Sequence, residues 1–308
     1  MIRSSSRPPT LSRCFGQGVF SQRLSQRASR GLCAVTLAVW ILLGTLLSCV
    51  TTGPEGKKSF VIVSDELETE IGRDVDSTVR AENKLLPDTA WQNYLTNVGE
   101  KIVKVCDRPN LPYEFHVIAS DQVNAFAIPG GHVYFYTGIL RMMDSEAELA
   151  AVMAHEISHV VGRHTAKQLQ NAVGAQVVLQ FTLGDRSKEL VGQLTAAAMG
   201  LIFMGYGRSQ ELEADRFGLY YMEKAGYNPA GARTMFEKLA SLSGKRKQGI
   251  GANLTSTHPD TQERIAKIDA QIVAMPRSVD DLPTFEDRYL RYKKRLPPPA
   301  PDSTKAGE

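Results

Sequence analysis

A five-residue pattern in the middle of the chain, His155-Glu156-Ile157-Ser158-His159, combines two imidazoles and a carboxylate at a spacing suited to metal chemistry. On an α-helix, positions i and i+4 lie on one face, so His155 and His159 can reach the same metal ion. Glu156 then lies beside the open coordination position, where a carboxylate can act as a general base. The pattern predicts a zinc site with a general base attached; a chance occurrence of the five residues is the alternative.

A helix around this pattern is predicted independently of the motif. Ser145 and Glu148 have the spacing of a capping box. Apolar residues then recur along one stripe, namely Leu149, Val152, Met153, Ile157, Val160 and Val161. A buried helix of this kind carries three polar side chains in its middle, and such groups need a metal or a hydrogen-bond network to be stable.

A third zinc ligand is expected further along the chain, because catalytic zinc usually has three protein ligands and a water. Glu211 and Asp215 lie one turn apart on another predicted helix. One carboxylate can bind the metal while the other hydrogen-bonds a ligand histidine and fixes its tautomer. Glu213 is predicted to point elsewhere on this helix. A solvated, charged helix face is the alternative for this stretch.

Three β-rich runs immediately precede the motif helix, at residues 113–119, 123–128 and 132–136. Pro129-Gly130-Gly131 provides turn chemistry between the last two runs. We therefore expect an α+β fold, mainly helical, in which a small antiparallel sheet lies beside the HExxH helix.

An exposed strand beside a zinc helix can hold a peptide as an added strand. Asn124, Ala125, Phe126 and Ala127 are the candidates for substrate binding, and for each of them simple filling of the sheet is the alternative. His116 and His132 are isolated histidines on strands, and for these we expect a structural role.

The remaining apolar patterns are interpreted as scaffold. Amphipathic helices are predicted over residues 63–83 and 88–105. Residues 190–206 are apolar but contain three glycines and lead directly into the Glu211 motif, which favours a buried helix or helical hairpin. A hairpin that dips into a membrane is the alternative.

The positive charge of the chain is confined to its start. The 308 residues have a formal charge of +3, but residues 1–48 contain six arginines and no acidic residue. The remainder has 30 basic and 33 acidic residues, a net charge of −3, so nothing favours nucleic acid as a partner. Cys106 is the one cysteine beyond position 49, which excludes a disulfide framework in the body of the chain.

An apolar run at residues 31–47 follows the arginine-rich start and has the length of a signal-peptide core. Leu46-Leu47-Ser48-Cys49 then resembles a bacterial lipobox, which predicts lipidation of Cys49. An uncleaved membrane anchor and a mitochondrial presequence are the alternatives. The predicted organisation is a signal peptide at 1–48, a tether at 49–62, a metallopeptidase domain at 63–275, and a helix with a disordered tail at 276–308.

Several motifs together resemble one known family over residues 60–273. The His155 motif is followed some fifty residues later by R-x-x-E-x-x-A-D, at residues 208–215. Further matches are Asn124-Ala125-Phe126-Ala127 with Pro129-Gly130-Gly131, Ala214 to Gly218, and Thr257-His258-Pro259 with Arg264-Ile265. The chain resembles the gluzincin metallopeptidases that include HtpX, the CAAX-prenyl endopeptidase and the Oma-type proteases, with the lipid-anchored periplasmic branch of BepA and LoiP nearest. Gly207 stands where many members have serine, and it touches no expected ligand.

The resemblance implies a zincin-type fold with His155, His159 and Glu211 as ligands of one Zn²⁺, Glu156 as general base and Asp215 as support for a ligand. It also implies that His258 lies near the metal, where it would either stabilise the oxyanion or cover the site as a regulatory plug; a structural role is the third possibility. Arg264 is expected to be a buried structural partner of the His258 loop.

The function expected from the sequence is zinc-dependent hydrolysis of peptide bonds. The family implies misfolded or unassembled cell-envelope proteins as substrates, envelope assembly machinery as a possible partner, and a lipid-anchored periplasmic location. A zinc-containing chaperone that binds extended clients with little turnover is the main alternative. A purely structural zinc site is disfavoured because a fourth ligand does not present itself.

Overall fold

The computed structural model describes residues 49–300 except 55, 183, 185–186, 244–257, 259–260, 276–277 and 280. The chain divides into two compact units, Met1–Cys49 and Val50–Glu308, and the described helices and the three-stranded sheet belong to the second. The predicted signal peptide at 1–48 lies outside the described residues, as does the end of the predicted tail.

Helices dominate the described residues, which confirms the expected fold class. The strands are β1 (Cys49–Thr52), β2 (Lys57–Phe60), β3 (Glu114–Ile118), β4 (Ala125–Ile128) and β5 (His132–Tyr136). The first seven α-helices are α1 (Asp65–Glu82), α2 (Thr89–Val103), α3 (Thr137–Met142), α4 (Glu146–Val161), α5 (His164–Val173), α6 (Ala175–Thr182) and α7 (Lys188–Met204). They continue with α8 (Arg208–Lys224), α9 (Ala230–Ser243), α10 (Thr261–Val273) and α11 (Glu286–Lys293).

Strands β3, β4 and β5 form one sheet in the order β3-β5-β4. Strand β4 runs antiparallel to β5, with Ala127 opposite Val133, whereas β3 runs parallel to β5, with His116 opposite Tyr134. The sheet is therefore mixed, and the expectation of a wholly antiparallel sheet was wrong in this detail. The chain reverses once after β3 and again at Pro129–Gly131, and two reversals return β5 to the direction of β3.

Both faces of this sheet are covered by helices, and the residues alternate between the two faces with the period of a strand. Val133 and Phe135 of β5 belong to a core shared with α2, α4, α8 and α9. Tyr134 and Tyr136 belong to a second core shared with α1, α5 and α7. The sheet is thus a layer between two groups of helices: α2, α4, α8 and α9 on one face, and α1, α5 and α7 on the other.

Helix α4 carries the HExxH pattern and lies in the larger core. The Ser145 hydroxyl accepts a hydrogen bond from the Glu148 backbone N–H at 3.2 Å, as the capping pattern predicts. The Glu148 carboxylate accepts from the Asp144 N–H at 2.7 Å instead of closing the box on Ser145. Almost the whole helix is buried, which holds its polar residues away from water.

Helix α11 packs against the larger core. Tyr289 is buried and donates to the Leu140 carbonyl at 2.6 Å, and the Trp91 indole N–H donates to the Tyr292 carbonyl at 2.8 Å. Arg288 forms an ion pair with the buried carboxylate of Glu146, the first residue of α4. Helix α11 therefore stabilises the N-terminal end of α4.

The apolar stretch at 190–206 forms α7, whose inner face packs on the second core. In the described part of the chain, no helix is by itself long and apolar enough to cross a membrane. Helices α7 and α8 reach that length and hydropathy only when taken together, and they meet at an angle of 79°.

Candidate active site

The site is built where α8 crosses α4, and a glycine sets how closely the two helices approach. A Cβ at Gly218 would lie 3.3 Å from the His155 backbone nitrogen, closer than almost all real contacts. The absence of a side chain at this position lets α8 lie directly against α4. Glu211 and Asp215, one turn apart on α8, consequently face His155.

His155, His159, Glu211 and His258 bring one ligand atom each into a single buried group, all within 4.8 Å of one another. His155 Nε2 lies 3.0 Å from His159 Nε2 and 3.5 Å from Glu211 Oε2, and His159 Nε2 lies 3.5 Å from Glu211 Oε1. Ligands about 2.0–2.1 Å from a tetrahedral zinc are separated by about 3.3–3.5 Å. The three predicted ligands are therefore spaced as one ion requires.

Asp215 orients the first histidine. Its Oδ1 lies 2.9 Å from His155 Nδ1, so Nδ1–H donates to the carboxylate and Nε2 is directed at the metal position. Burial lowers the pKa of His155, but the bonds to Asp215 and Glu211 outweigh it and raise the pKa to about 9. The pocket thus stabilises positive charge at the point where a cation would bind.

The second histidine is oriented by two residues that the sequence did not reveal. His159 Nδ1 lies 2.8 Å from His164 Nδ1, and His164 Nε2 lies 3.1 Å from Glu213 Oε2. Burial lowers the pKa of both histidines, so both are neutral. Because the carboxylate accepts from His164 Nε2–H, His164 Nδ1 must accept from His159, which leaves the His159 Nε2 lone pair for a metal.

His164 reaches back to His159 because the chain turns sharply after α4. Arg163 adopts the left-handed conformation, with φ 54°, and His164 begins α5. A Cβ at Gly162 would lie 2.5 Å from the His164 ring, so a side chain there would displace it. In the sequence, a glycine at position 162 followed by a histidine at 164 is the one signal that could have indicated the contact between His164 and His159. Glu213 points elsewhere than Glu211, as expected, but it contacts His164 and so helps to orient His159.

Glu156 is buried beside the ligand group. Burial raises the pKa of its carboxyl, and its Oε2 has no hydrogen-bond partner among the described residues. The Ala127 backbone N–H of β4 hydrogen-bonds to this carboxyl group. A carboxylate with one free oxygen and a raised pKa is well suited to accept a proton.

Strand β4 therefore runs alongside the site at the edge of the described three-stranded sheet. Its predicted substrate-binding side chains are buried: Phe126 packs on Tyr134, with ring centroids 5.0 Å apart, and on Phe203 of α7, at 5.7 Å. The Asn124 side chain accepts from the Ala125 N–H at 3.0 Å. These residues can offer backbone groups to a peptide, while their side chains fill the core.

His258 occupies the fourth corner of the ligand group. Its Nδ1 lies 2.9 Å and 3.0 Å from the two carboxylate oxygens of Glu211 and 3.3 Å from His155 Nε2. Its Nε2 lies 3.8 Å from Glu156 Oε1. The sequence prediction that His258 lies near the metal is consistent with this geometry.

Arg264 of α10 connects the carboxylates of the site. Its guanidinium donates to both oxygens of Asp215 at 2.7 Å and lies 2.8 Å from Glu211 Oε2. Burial raises the pKa of both carboxyls, but Arg264 and the neighbouring histidines lower them below their usual values. Both carboxylates are therefore ionised, and Arg264 supports the site directly as well as contacting the His258 carbonyl at 3.5 Å.

Tyr206 covers the second histidine. Its ring stacks on His159 with centroids 3.8 Å apart and planes at 16°, and its hydroxyl bonds to Thr165 at 2.9 Å. It lies between α7 and α8, in a stretch that sequence analysis interpreted as scaffold. A tyrosine at the end of an apolar run does not by itself indicate a residue of the metal site.

The donor set fits a zinc ion. The network directs two imidazole lone pairs and a carboxylate at one point, and such a convergence is repulsive unless a cation or a proton lies between them. Two imidazoles and a carboxylate are ligands typical of catalytic zinc. The residues present are therefore chemically suited to the metal that the motif predicts.

Comparison with known proteins agrees with this geometry. Residues 89–272, more than half of the chain, match Peptidase family M48. The chain belongs to this family. Its M48 membership confirms the resemblance that the motifs indicated.

Among M48 relatives, the chain is 33% identical to the mitochondrial metalloendopeptidase OMA1 of Schizosaccharomyces pombe, over 69% of this chain and 63% of that protein. It is 30% identical to the beta-barrel assembly-enhancing protease of Escherichia coli, over 71% and 46% respectively. It is 32% identical to the metalloprotease LoiP of Escherichia coli, over 51% and 62%. The chain spans less than two thirds of the length of these curated relatives.

Proposed function

We propose that this protein is a zinc-dependent endopeptidase in which His155, His159 and Glu211 hold the metal and Glu156 is the general base. The observation that carries the proposal is the convergence of these four buried groups, each oriented by a partner. Zinc bound there would polarise the scissile carbonyl and lower the pKa of a water molecule toward about 7. M48 membership and the metalloprotease names of the relatives support the proposal.

Glu156 would take the proton of the attacking water on its free oxygen and pass it to the leaving amine. Its buried position favours both transfers, because a raised pKa brings a carboxyl closer to the operating pH. Asp215 and the His164–Glu213 pair would hold the two ligand histidines in fixed tautomers throughout. Arg264 would hold the carboxylates in place.

Strand β4 would bind the substrate backbone by β-augmentation. The backbone groups of Ala125 and Ala127 face the outer edge and would pair with the peptide, while Asn124 and Phe126 pair with β5. The hydrogen bond between Ala127 and Glu156 supports this proposal, because a peptide on the outer edge of β4 would then lie next to the general base. Selection between substrates would come from contacts other than the buried side chains of β4.

The decisive test combines chelation with replacement of the base in the full chain. Glu156→Gln is expected to retain zinc and to lose proteolysis of casein by about 10²- to 10⁴-fold. Glu100→Gln, an exposed residue on α2, is the matched control and should cleave normally. Wild-type cleavage should stop with chelator and return with zinc; continued cleavage by Glu156→Gln would refute the assignment.

A second candidate function is client binding with little turnover, and the position of His258 favours it as a resting state. With Nδ1 within 3.3 Å of His155 and Glu211, His258 would close the ligand group as a regulatory plug. In this case His258→Ala should raise the rate of casein cleavage. If His258 instead stabilises the oxyanion, the same variant should lower kcat, so the sign of the change separates the two roles.

We also propose envelope proteins as substrates and a membrane-attached location through lipidated Cys49. One relative's name mentions beta-barrel assembly and another's mentions mitochondria, which supports a role in protein handling at a membrane. Replacing Cys49 with Ser and following membrane fractionation of the chain in a bacterial host tests the anchor. Release of the variant, with retention of the wild type, is the expected result.

A further inference from the structure

A second group of histidine and carboxylate side chains lies outside the M48 ligand set, on the face of the sheet that α1 covers. Glu114 and His116 alternate along β3, and His132 lies opposite Glu114 on β5, so all three share this face. Asp76 of α1, the helix that covers this face, completes the group. The two histidines look isolated in the sequence, because they come together only when α1, β3 and β5 pack against one another.

The ligand atoms of this group have the spacing of a metal site. Asp76 Oδ1 lies 3.4 Å from His132 Nδ1 and 4.0 Å from His116 Nε2. Glu114 Oε2 lies 3.3 Å from His116 Nε2 and 3.9 Å from His132 Nδ1. These four separations lie within about 0.7 Å of the edges of a tetrahedron around zinc. Asp76, His116 and His132 bring one ligand atom each within 4.8 Å of one another, and Glu114 lies outside this group of three.

An independent observation points to a missing ligand. His132 is 5% exposed, and its Nδ1 has no hydrogen-bond partner in the described part of the chain, although it lies between two carboxylates. A buried ring nitrogen without a bond is costly, since it has lost its water. A metal ion bound by Asp76 and His116 would satisfy it.

The state of the imidazoles also suits a metal. Burial lowers the pKa of His132 and, together with Arg80, lowers that of His116 to about 4, so both rings are neutral at pH 7. Neutral imidazoles have a free lone pair and need not release a proton to bind a cation. The Tyr134 hydroxyl donates to Asp76 and fixes that carboxylate toward the group.

Arg80 is the competing cation. It lies one turn after Asp76 on α1, and its Nη2 is 2.8 Å from both Glu114 Oε2 and His116 Nε2. Its side chain is 38% exposed, and that of Glu114 is 50% exposed. Arg80 can therefore swing into solvent when an ion enters, at a cost in metal affinity.

We propose that Asp76, His116 and His132, with Glu114 next to the two histidines, form a second site for a divalent transition metal of the zinc class, distinct from the peptidase centre. Two imidazoles with carboxylates suit Zn²⁺ and exclude a preference for Ca²⁺ or Mg²⁺, which favour oxygen ligands alone. The ion would tie α1 to β3 and β5, on the face of the sheet opposite α4.

Zinc titration of the full chain with a chromophoric competitor tests the site. Wild type should bind two equivalents. His159→Gln, which removes an inner ligand, should retain one, and His132→Gln in that background should remove it or weaken it by about 100-fold or more. The proposal would be overturned if His132→Gln still bound two equivalents, or if wild type bound a single one. The outer group would then be an ion-pair network of Arg80 with Asp76 and Glu114.

Arg80→Gln provides a variant that keeps both histidines of the outer group. Removing a cation from a partly exposed site should tighten zinc binding at the outer group by about tenfold in the His159→Gln background. Arg291→Gln, on α11, serves as the charge-matched control. An unchanged affinity in Arg80→Gln would contradict the proposal, because Arg80 would then not compete for the ligand atoms.

Discussion

Two clusters of histidine and carboxylate groups in this protein have similar spacing but different surroundings. In the inner cluster of α4 and α8, each ligand histidine is hydrogen-bonded through its second nitrogen, to Asp215 or to His164. In the outer cluster of α1, β3 and β5, the nitrogen of His132 that faces the other ligands, Nδ1, has no hydrogen-bond partner among the described residues, and Arg80 neutralises the carboxylates. Ligand spacing alone therefore does not define a catalytic centre. The hydrogen bonds that orient the ligand histidines and the burial of Glu156 distinguish the inner cluster, which we propose as the catalytic one.

The largest expected difference concerns loss of an inner ligand. His159→Gln should reduce proteolysis to background and lower the zinc content from two equivalents to one, because the outer cluster keeps its own ion. Casein cleavage and metal content of the same preparation provide the measurement. Retained proteolysis in this variant would show that the inner cluster is not the catalytic centre.

A large difference is also expected between the two arginines. Arg264 is 3% exposed and compensates Asp215 and Glu211, so Arg264→Gln should lower the free energy of unfolding by about 3–5 kcal/mol. Arg80 is partly exposed, and Arg80→Gln should cost about 0–1 kcal/mol. Urea denaturation in excess chelator measures both, and equal losses would contradict the contrast in burial.

A smaller effect is expected from the second residue behind His159. Glu213→Gln weakens the bond that holds His164, so inner-site zinc affinity should fall by about 10- to 100-fold while the fold is retained. Glu223→Gln on the same helix is the control and should bind zinc normally. The measurement is competitive zinc titration, with circular dichroism to compare helix content.

The smallest expected effect is a pH dependence of the outer cluster in chelator. The pKa of His116 is about 4 in the folded protein, below the value of about 6.5 for a free histidine. Between these values the unfolded chain binds more protons, so this contribution to stability is complete above pH about 6.5 and is lost as the pH falls toward 4. His116→Gln should flatten that part of the curve of unfolding free energy against pH; an unaltered slope would mean that His116 is not buried as neutral imidazole.

Much of the inner site could be predicted because its chemistry lies in local patterns. The i, i+4 spacing of His155 and His159 and the same spacing of Glu211 and Asp215 place each pair on one helix face whatever the rest of the fold does. The helix, its N-cap and the three strands follow from apolar periodicity and turn residues in the same way. A resemblance carried by several motifs in order then linked the two helices, and the family match confirmed it.

The tertiary structure decided what local patterns do not contain. The parallel pairing of β3 with β5, the bond from His164 to His159 and the approach of Asp76 to His132 all join residues whose relation depends on chain reversals and on helices crossing. Side-chain type sets which contacts are chemically possible, but the close approach at Gly218 and the left-handed turn at Arg163 determine which ones form. The sequence by itself determined the donors of the proposed catalytic centre, and the packing determined their partners and brought the residues of the second cluster together.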